Sequence, residues 1–252
     1  MPRSRETHFG YEAIDLADKQ ARVDGVFHSV ARRYDLMNDL MSGGLHRAWK
    51  EAMVTAVNPP RTDKPFALLD LAGGTGDIAA LLKDRVGDPG ELVLGDINGD
   101  MLRVGRDRMI DRGNVRGFEY VQCNAEALPF PDASFHLVTI AFGLRNVTDK
   151  DAALREMHRV LRVGGQARVL EFSEVKADWF KPLYDFHSFQ VLPRLGRLFA
   201  QDAGSYQYLA ESIRQHPPQE TLKAMMEAAG FERVGYRNMS AGIVAIHTGY
   251  KV

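Results

Sequence analysis

From Phe66 onward, short apolar runs alternate with stretches in which apolar residues recur every three or four positions. The apolar runs predict strands, at 66–71, 91–96, 117–122, 135–141, 167–172, 231–237 and 243–251. The three- and four-residue spacing predicts helices, at 76–86, 98–111, 149–162 and 218–229. Strands that alternate with helices are typical of a doubly wound parallel sheet, so the sequence predicts an α/β fold.

Two segments depart from this alternation. Residues 1–60 show helical spacing in two places, at Val23, Val26, Phe27 and Val30 and again at Trp49, Met53 and Val57. Residues 176–216 are rich in aromatic side chains and interrupt the strand–helix order. We therefore expect four parts: an N-terminal helical cap at 1–60, a core at 61–175, a helical insertion or lid at 176–216, and a final helix with two strands at 217–252.

Two carboxylates are predicted at neighbouring strand ends, where ligands of open α/β sheets bind. Asp70 precedes a glycine-rich loop and Asp96 ends the next strand. A pyrophosphate would be repelled by Asp70 and by Asp77 at the start of the next helix, which argues against a dinucleotide. S-adenosylmethionine fits better, because its ammonium and sulfonium groups attract carboxylates and Asp96 can accept hydrogen bonds from both ribose hydroxyls. The alternative is an ordinary strand–turn–helix connection whose glycines serve only packing.

Composition narrows the class of protein. The chain has 252 residues, a formal net charge of −1 and one cysteine, Cys123. This length fits one α/β domain with additions, and the charge lacks the basic excess of nucleic-acid-binding proteins. The lone cysteine and the scattered histidines predict neither a disulfide nor a metal site. Without an apolar run of roughly 20 residues or a signal peptide, we expect a cytoplasmic protein whose contact with the inner membrane is at most peripheral.

Three long motifs and the C-terminal tail resemble the ubiquinone/menaquinone biosynthesis C-methyltransferases. The motifs are YDLMNDLMSGGLHRAW at 34–49, AFGLRNVTD at 141–149 and RVLRVGGQARVLEFS at 159–173, and the tail is 247–251. The resemblance implies a class I, Rossmann-like methyltransferase with a mostly parallel seven-stranded sheet, helices on both faces and an N-terminal helical cap. It implies methyl transfer from S-adenosylmethionine to a ring carbon of a polyprenylated benzoquinol or of demethylmenaquinol, in respiratory quinone biosynthesis.

The resemblance also implies cofactor contacts, at Thr75, Asp96, Asn124 and Ala125. Together with the glycine loop and the strand ends, the expected cofactor-binding residues are Asp70, Gly74, Thr75, Gly76, Asp96, Ile97, Asn124, Ala125 and Ala141. Ala141 stands where enterobacterial relatives are expected to have Ser, so only backbone contact can remain there. Ala72 replaces the usual first glycine of the loop, and we expect it to pack without serious strain. Asn124 also fits a simple turn residue.

Methylation of a ring carbon requires a base or a cation, because the ring becomes nucleophilic when a hydroxyl loses its proton. Arg145 follows the fourth strand of the core and could stabilise the phenolate or orient a water; the alternative is a structural ion pair with Asp149 or Asp35. Asn146 could bind the substrate hydroxyl, or it could cap the turn.

Tyr34 and His46 lie in the expected cap and complete the set of catalytic candidates. His46 has the pKa range of a general base, although a histidine beside an apolar face is often structural. Tyr34 can bond to substrate or to the cofactor carboxylate through its phenol.

The sequence leaves other functions and partners open. Another class I small-molecule or nucleic-acid methyltransferase, or a non-catalytic S-adenosylmethionine-binding scaffold of the quinone pathway, would share the same cofactor pocket. The insertion at 176–216 could roof the site and guide a prenyl tail, contact the membrane, or pack as an ordinary helix. We expect a quinol substrate, contact with the membrane or with quinone-biosynthesis proteins, no nucleic acid, and either a monomer or a homodimer.

Overall fold

One mixed sheet forms the centre of the protein. The computed structural model describes residues 6–15, 18–19, 21–23, 25, 38–39, 41–57, 66–86, 91–114, 116–177, 179, 181–186, 190, 194 and 203–252. Within these residues, seven strands build the main sheet: β3 (Leu68–Leu71), β4 (Leu92–Asp96), β5 (Phe118–Gln122), β6 (Phe135–Ala141), β7 (Leu161–Phe172), β8 (Glu232–Met239) and β9 (Val244–Tyr250). The predicted α/β fold with a mostly parallel seven-stranded sheet is confirmed.

The order of the strands places the candidate site. Across the sheet they run β5-β4-β3-β6-β7-β9-β8, and β9 is antiparallel to both of its neighbours. The chain moves from β3 outward to β4 and β5, and then returns to the other side of β3 with β6. The strand order therefore reverses at β3. A crevice forms at the carboxyl ends of the strands where such a reversal occurs, and this is where ligands bind in open α/β sheets.

Helices connect and cover the strands. They are α1 (Leu45–Ala56), α2 (Asp77–Val86), α3 (Gly99–Asp111), α4 (Lys150–Val160), α5 (Lys181–Phe186), α6 (Ala203–Gln215) and α7 (Gln219–Ala228). All four residues of β3 and all five of β4 are buried, which explains why these strands read as continuous apolar runs. Two apolar clusters form the core, one of which includes α4 and α7 and the other α1, α2 and α3.

Side-chain caps define where two of these helices begin. The side chain of Asn98 accepts hydrogen bonds from the backbone N–H groups of Asp100 and Met101 at the start of α3. The carboxylate of Asp149 accepts one from the N–H of Ala152 at the start of α4. Both caps satisfy N–H groups that have no partner inside the helix.

The N-terminal part differs from the prediction. Residues 1–60 were expected to be helical, but β1 (Glu6–Phe9) and β2 (Glu12–Asp15) form an antiparallel hairpin. Each strand has only four residues, too few for an alternating apolar pattern to stand out. The second predicted helix is confirmed as α1, whereas Val26, Phe27, Val30 and residues 58–60 lie outside the described residues.

The helix predicted at 149–162 ends earlier than expected, and the next strand begins earlier. α4 ends at Val160 and β7 starts at Leu161, ahead of the predicted start at Ala167. Residues 162–165 form an irregularity in β7, because Phe135 pairs with Leu161 while Leu137 pairs with Gln166. Gly164, with φ 82°, donates its N–H to Lys251 O at 2.7 Å. Gly164 and Gly165 therefore lie in an irregular segment inside β7 and do not separate the helix from the strand.

In the part of the chain that the structure covers, no helix is long and apolar enough to cross a bilayer.

Candidate active site

The glycine loop between β3 and α2 has little room for side chains. A Cβ on Gly73 would lie 2.3 Å from Leu94 Cδ1, and Gly74 and Gly76 have φ 54° and 82°. These are left-handed conformations that glycine adopts without penalty. Ala72 also has a positive φ, 51°. Such a conformation costs an alanine roughly 1–2 kcal/mol, so the expectation that Ala72 packs without serious strain is wrong.

Asp96 fixes this loop against the end of β4. Its Oδ2 accepts a hydrogen bond from Gly74 N, and its Oδ1 accepts one from Asn98 N, both at 2.9 Å. The residue is only 9% exposed. Each carboxylate oxygen can accept more than one hydrogen bond, so the backbone orients the carboxylate and still leaves acceptor capacity towards the adjacent cleft.

Asp70 is more deeply buried than the sequence suggested. It lies one residue before the end of β3, is 1% exposed, and its Oδ1 accepts a hydrogen bond from Thr139 Oγ1 at 2.8 Å. Its Oδ2 is buried and receives no well-formed hydrogen bond within the described chain. Burial raises the pKa of Asp70 to about 7, although the Thr139 hydroxyl and the Lys50 charge act to lower it.

Two neighbouring cavities are lined by most of the predicted cofactor residues. A cleft of about 710 Å³ is lined by Gly74, Asp96, Ile97, Asn124, Ala125 and Asn146, together with apolar side chains such as Val23, Met101 and Phe142. A recess of about 350 Å³ is lined by Asp70, Gly74, Thr75 and Ala141, and by Lys50 and Asp77. Gly74 borders both. Gly76 borders neither and instead faces α3, where a Cβ would lie 3.1 Å from Met109 Cε.

Asn124 has the turn geometry that the sequence left as an alternative. Its Oδ1 accepts a hydrogen bond from Glu126 N at 2.9 Å, and it also borders the cleft. Glu126 in turn accepts hydrogen bonds from Thr148 N and Asp149 N at 3.1 and 3.0 Å. This side chain therefore ties the loop after β5 to the loop after β6, on opposite sides of the reversal point.

Arg145 is buried in an ion pair with Glu171, a residue that the sequence analysis did not consider; of the two partners it did consider, Asp35 lies outside the described residues. Its Nη1 lies 2.9 Å from Glu171 Oε1 on β7, and both side chains are 1% exposed. Nη1 also donates to Phe142 O, and Arg145 N donates to Glu171 Oε2 at 3.2 Å. These contacts hold the short 3₁₀ turn Leu144–Asn146 against the end of β7.

Asn146 is the member of this turn that borders the cofactor cleft. Its Oδ1 accepts a hydrogen bond from Tyr208 Oη on α6 at 3.1 Å. The carboxamide oxygen is therefore engaged, whereas its NH₂ group forms no hydrogen bond in the described part of the chain. Burial raises the pKa of Tyr208 to about 12, so this phenol keeps its proton and acts as a donor.

His46 borders neither of the two cavities, although its own pocket shares Lys50 and Asp77 with the smaller recess. It borders a surface pocket with Arg47, Glu51 and Arg108, and its Nε2 lies 3.0 Å from Asp39 Oδ1. Burial lowers the pKa of His46, against the effect of Asp39. Tyr34 lies outside the described residues.

The comparisons with known proteins decide the family. The profile of the ubiE/COQ5 methyltransferase family matches residues 15–251. The chain belongs to this family. It is 70% identical over 249 residues to "Ubiquinone/menaquinone biosynthesis C-methyltransferase UbiE" of Xanthomonas oryzae pv. oryzae, covering 99% of this chain and 97% of that protein. The protein of the same name from Stenotrophomonas maltophilia (strain R551-3) is 70% identical over 250 residues, with 99% and 98% covered.

Solved structures agree with the fold. A SAM-dependent methyltransferase from Thermotoga maritima superposes with a TM-score of 0.60 at 20% identity, covering 90% of this chain and all of that one. A SAM dependent methyltransferase from Aquifex aeolicus gives a TM-score of 0.52 at 16% identity, covering 81% and 98%. The predicted family, enzyme class and cofactor are confirmed: this is an S-adenosylmethionine-dependent C-methyltransferase. The two cavities fit that cofactor, since one borders a carboxylate at a strand end and the other a buried, unsatisfied carboxylate oxygen.

Three residues of the site were missed by sequence reasoning. Glu171 is a single acid in the apolar strand β7, and Lys50 shares a helical face with Met53 and Val54 of α1. A charge inside an apolar pattern is the signal that could have identified both. Tyr208 gave no comparable signal, because a tyrosine among apolar residues is common in a packed helix. Among the described residues, no group of side chains is arranged to hold a metal ion.

Proposed function

We propose that this methyltransferase methylates a ring carbon of a polyprenylated quinol, with demethylmenaquinol and 2-polyprenyl-6-methoxy-1,4-benzoquinol as its acceptors. The observation that carries this proposal is the identity of 70%, over nearly the full chain, with relatives named for ubiquinone and menaquinone biosynthesis. Both acceptors present the same reactive ring edge, so a single site can serve them. The oxidised quinones would be poor acceptors because their ring carbons are electron-poor.

The reaction depends on alignment and on ring electron density. Bound S-adenosylmethionine supplies an electrophilic methyl group on a sulfonium. The acceptor carbon must be held in line with that methyl group, and positioning of this kind supplies much of the acceleration in two-substrate reactions. The ring gains electron density when its neighbouring hydroxyl loses a proton, so the protein must stabilise a developing phenolate.

We assign cofactor binding to the residues that line the two cavities. Asp96 would accept hydrogen bonds from the ribose hydroxyls, as its position at the end of β4 in the lining of the cleft supports. Asn124, Ala125 and Ile97 would surround the adenine, and the smaller recess would take the methionine portion near Asp70, Thr75 and Ala141. Gly74 and Gly76 would shape the loop, the latter by packing against α3.

We propose that Asn146 binds the substrate hydroxyl and that Arg145 has a positioning role. The NH₂ group of Asn146 is a suitable donor to an oxyanion, since its Oδ1 already accepts from Tyr208. Arg145 is neutralised by Glu171, so it acts by holding the 3₁₀ turn in place. A guanidinium keeps its proton in proteins, which is a further reason why Arg145 is not the base.

Unpaired positive charge lies on the other side of the same turn. Lys19 and Lys150 border a pocket with Arg145 and Tyr208, and neither lysine forms an ion pair within the described residues. Burial, with Lys19 as a neighbouring charge, lowers the pKa of Lys150 to about 8. We propose that the field of these two ammonium groups favours ionisation of the acceptor hydroxyl across the turn.

The catalytic roles of His46 and Tyr34, the two candidates in the expected N-terminal cap, remain predictions. The contacts of His46 with Asp39 favour a structural role, because they bind it into a different pocket from Asn146. Substitution of His46 by Gln tests this: unchanged turnover would exclude it as the base. Tyr34→Phe provides the same test for the phenol of Tyr34.

We also propose peripheral contact with the membrane that holds the prenylated acceptor. Trp179 and Phe186, on the segment after β7, are 81% and 58% exposed. Large apolar side chains on a surface are suited to insertion between lipid headgroups. Sedimentation with anionic lipid vesicles should therefore retain the wild-type protein and lose the Trp179→Ser/Phe186→Ser variant; equal retention would contradict this contact.

Incubation with labelled S-adenosylmethionine and each candidate acceptor tests the main proposal. Label should enter the reduced demethylmenaquinol and the reduced benzoquinol, and not the quinones or tRNA and DNA. The Asp96→Ala variant serves as the control, because it should bind no cofactor and transfer none. Cofactor binding without transfer to any quinol would indicate a scaffold, and transfer to nucleic acid would overturn the proposal.

A further inference from the structure

A separate pocket borders the 3₁₀ turn Leu144–Asn146 and shares no lining residue with the cofactor cleft or with the smaller recess. Its volume is about 820 Å³, within the range of pockets that hold small molecules. We call it the basic pocket, because no acid of the described chain lines it. The basic side chains in its lining are His8, Lys19, Arg145 and Lys150.

The hairpin of β1 and β2 forms one wall of the basic pocket, and two contacts hold it against α6. The ring of Phe9 stacks on the ring of Tyr208, with the centroids 4.2 Å apart. The backbone N–H of Tyr11 donates to Glu211 Oε2 at 3.0 Å. The pocket is therefore a defined cavity between packed elements.

Lys19 is a buried cation without a partner in this pocket. It is 7% exposed and forms no hydrogen bond or ion pair in the described part of the chain. Burial lowers the pKa of Lys19, against the charge of Glu126. Glu126 does not line the pocket, and its carboxylate accepts hydrogen bonds from Thr148 N and Asp149 N. A desolvated ammonium whose N–H groups are unpaired is costly unless a ligand accepts from them.

Lys150 lies in the same pocket and is only partly satisfied. Its Nζ donates to Val147 O at 3.0 Å, which leaves two of its three N–H groups free of partners in the described chain. Burial lowers the pKa of Lys150 to about 8, and the charge of Lys19 acts in the same direction. The acids that act to raise it, none of which lines the pocket, are Glu171, Glu126 and Asp149. Two like charges with five unpaired N–H groups therefore face one cavity.

These unmet donors match the chemistry of a phosphate group. A phosphate monoester carries a charge of about −1.5 to −2 near pH 7 and has three strong acceptor oxygens. That charge matches two ammonium groups, whereas a single carboxylate would neutralise only one. Arg145 adds no net charge because Glu171 neutralises it, but its Nε is buried and has no partner among the described residues. The hydroxyl of Thr148 supplies a further donor in the lining.

We propose that the basic pocket binds a phosphate group, as the free ion or as a small phosphate monoester, between Lys19 and Lys150. This binding does not depend on the identity of the methyl acceptor. Its effect on turnover rests on the field proposed above for the two lysines. Bound phosphate cancels that field, so kcat for the quinol falls, while S-adenosylmethionine binds in a cleft that shares no residue with the pocket and keeps its affinity.

Calorimetry on the full chain tests the site, with inorganic phosphate and glycerol 3-phosphate as probes and chloride added to constant ionic strength. Lys19→Met and Lys150→Met should each weaken both probes by about 10- to 100-fold, the range of a hydrogen bond to a charged group. Lys223→Met is the matched control, because it removes the same charge from α7, where Lys223 lies 3.9 Å from Glu227 and outside the pocket. It should bind both probes as the wild type does.

The outcomes are distinct. Tighter binding of glycerol 3-phosphate would support a monoester as the ligand, and tighter binding of inorganic phosphate would support the free ion. Equal affinity in Lys19→Met and Lys223→Met would overturn the proposal, as would acetate that binds the wild type as tightly as phosphate does.

A second measurement uses the wild type alone, so it holds even where a Met variant fails to fold. With a pKa of about 8, Lys150 has an unprotonated fraction near neutral pH that reacts with acetic anhydride. Phosphate should slow the acetylation of Lys150 and leave that of Lys223 unchanged, as quantified by mass spectrometry. Equal rates at Lys150 with phosphate and with chloride would overturn the site. Unchanged kcat at saturating phosphate would refute the field proposed for the two lysines and leave the binding results intact.

Discussion

At the scale of single residues, Asp70 gives the clearest consequence of burial. Its folded-state pKa of about 7 lies above its ordinary value of 3.8, so a large fraction is protonated near neutral pH when no ligand is bound. A protonated carboxyl attracts an ammonium far less than a carboxylate does. Binding of the donor must therefore release this proton, and the affinity must depend on pH.

We predict that the Kd for S-adenosylmethionine rises as pH falls below 7, by up to 10-fold per pH unit, and becomes level about one pH unit above 7. Isothermal titration calorimetry from pH 5.5 to 7.5, in buffers of different ionisation enthalpy, would measure both the affinity and the proton release. Asp70→Asn should bind more weakly at pH 7.5 and lose this dependence. A wild-type Kd that is constant over this range would contradict the assignment of Asp70 to the cofactor ammonium.

The ion pair of Arg145 and Glu171 leads to a second prediction at this scale. Removal of one partner leaves a buried charge without compensation, which costs about 3–5 kcal/mol. We therefore expect Arg145→Met to lower the free energy of unfolding by about this amount and to reduce kcat, while the remaining folded protein still binds S-adenosylmethionine. Urea denaturation and steady-state kinetics would measure the two effects.

The double variant Arg145→Met/Glu171→Met separates structure from chemistry. Without an orphaned charge it should regain most of the stability, because apolar residues often replace buried ion pairs at little cost. Its kcat should stay low if the pair positions the 3₁₀ turn. Full recovery of kcat together with stability would show that the pair contributes nothing to the reaction.

At the scale of elements, the sequence predicted the buried strands, because their apolar runs are visible in it. It did not predict features that depend on contacts between distant parts of the chain. β3 and β4 are buried on both faces, so their apolar runs were visible, and Asp70 and Asp96 could be placed at one edge because parallel strands end together. The partner of Arg145 could not be predicted, since Glu171 is brought near only by the pairing of β6 with β7. The hairpin of β1 and β2 was missed because its strands are short and β2 is largely exposed.

The packing of α3 against the glycine loop gives a prediction at this scale. A Cβ on Gly105 would lie 2.8 Å from the carbonyl oxygen of Gly74 and 3.0 Å from Leu94 Cδ2. Alanine is the better helix former by about 1 kcal/mol, but here the helix would have to move away from the loop. We expect Gly105→Ala to weaken S-adenosylmethionine binding at least 10-fold, as measured by calorimetry.

Gly235→Ala is the matched control for this substitution. Gly235 lies on β8, and a Cβ added there would meet no neighbouring atom within 4 Å. Its φ is not positive, so the same chemical change should leave cofactor affinity unaltered. If Gly105→Ala binds as tightly as Gly235→Ala, close approach of α3 does not shape the loop.

At the scale of the whole molecule, α1 connects the N-terminal part to the sheet. Trp49 donates its indole N–H to Ser240 Oγ at 2.9 Å, and its ring lies 6.3 Å from that of Phe142 and 6.2 Å from that of Phe172. Lys50, the next residue, faces the recess. The same helix thus packs in the core with one side chain and borders the cofactor site with the next. Apolar spacing predicted the helix, but only its position in the fold shows this double role.

Buried neutral histidines set how the whole molecule responds to acid. His216 is 6% exposed, and neither of its ring nitrogens has a partner in the described part of the chain. Burial lowers its pKa well below the ordinary 6.5, and Lys150, Arg145 and His247 act in the same direction. Burial also lowers the pKa of His247. These groups bind protons in the unfolded chain before they do so in the folded protein.

Because the unfolded chain binds these protons more readily, acid destabilises the folded protein through the two histidines. Below pH 6.5 the unfolded state takes up a proton at His216 that the folded state refuses, so the free energy of unfolding falls as pH falls, by about 1.4 kcal/mol per pH unit for each such histidine. Asp70 acts in the opposite direction between pH 7 and 3.8, because its folded-state pKa is raised. A comparison of variants cancels the contribution of Asp70, since it is common to both.

We therefore predict that His216→Leu reduces the pH dependence of stability by about one proton between pH 6.5 and 5. Leucine fills a similar volume without a titratable group, so the variant should match the wild type near pH 7.5 and exceed it by about 1–2 kcal/mol at pH 5. Urea denaturation at several pH values, with the midpoint and the slope recorded at each, would measure this. Parallel curves for the two proteins would mean that His216 becomes protonated in the folded state as readily as in the unfolded chain.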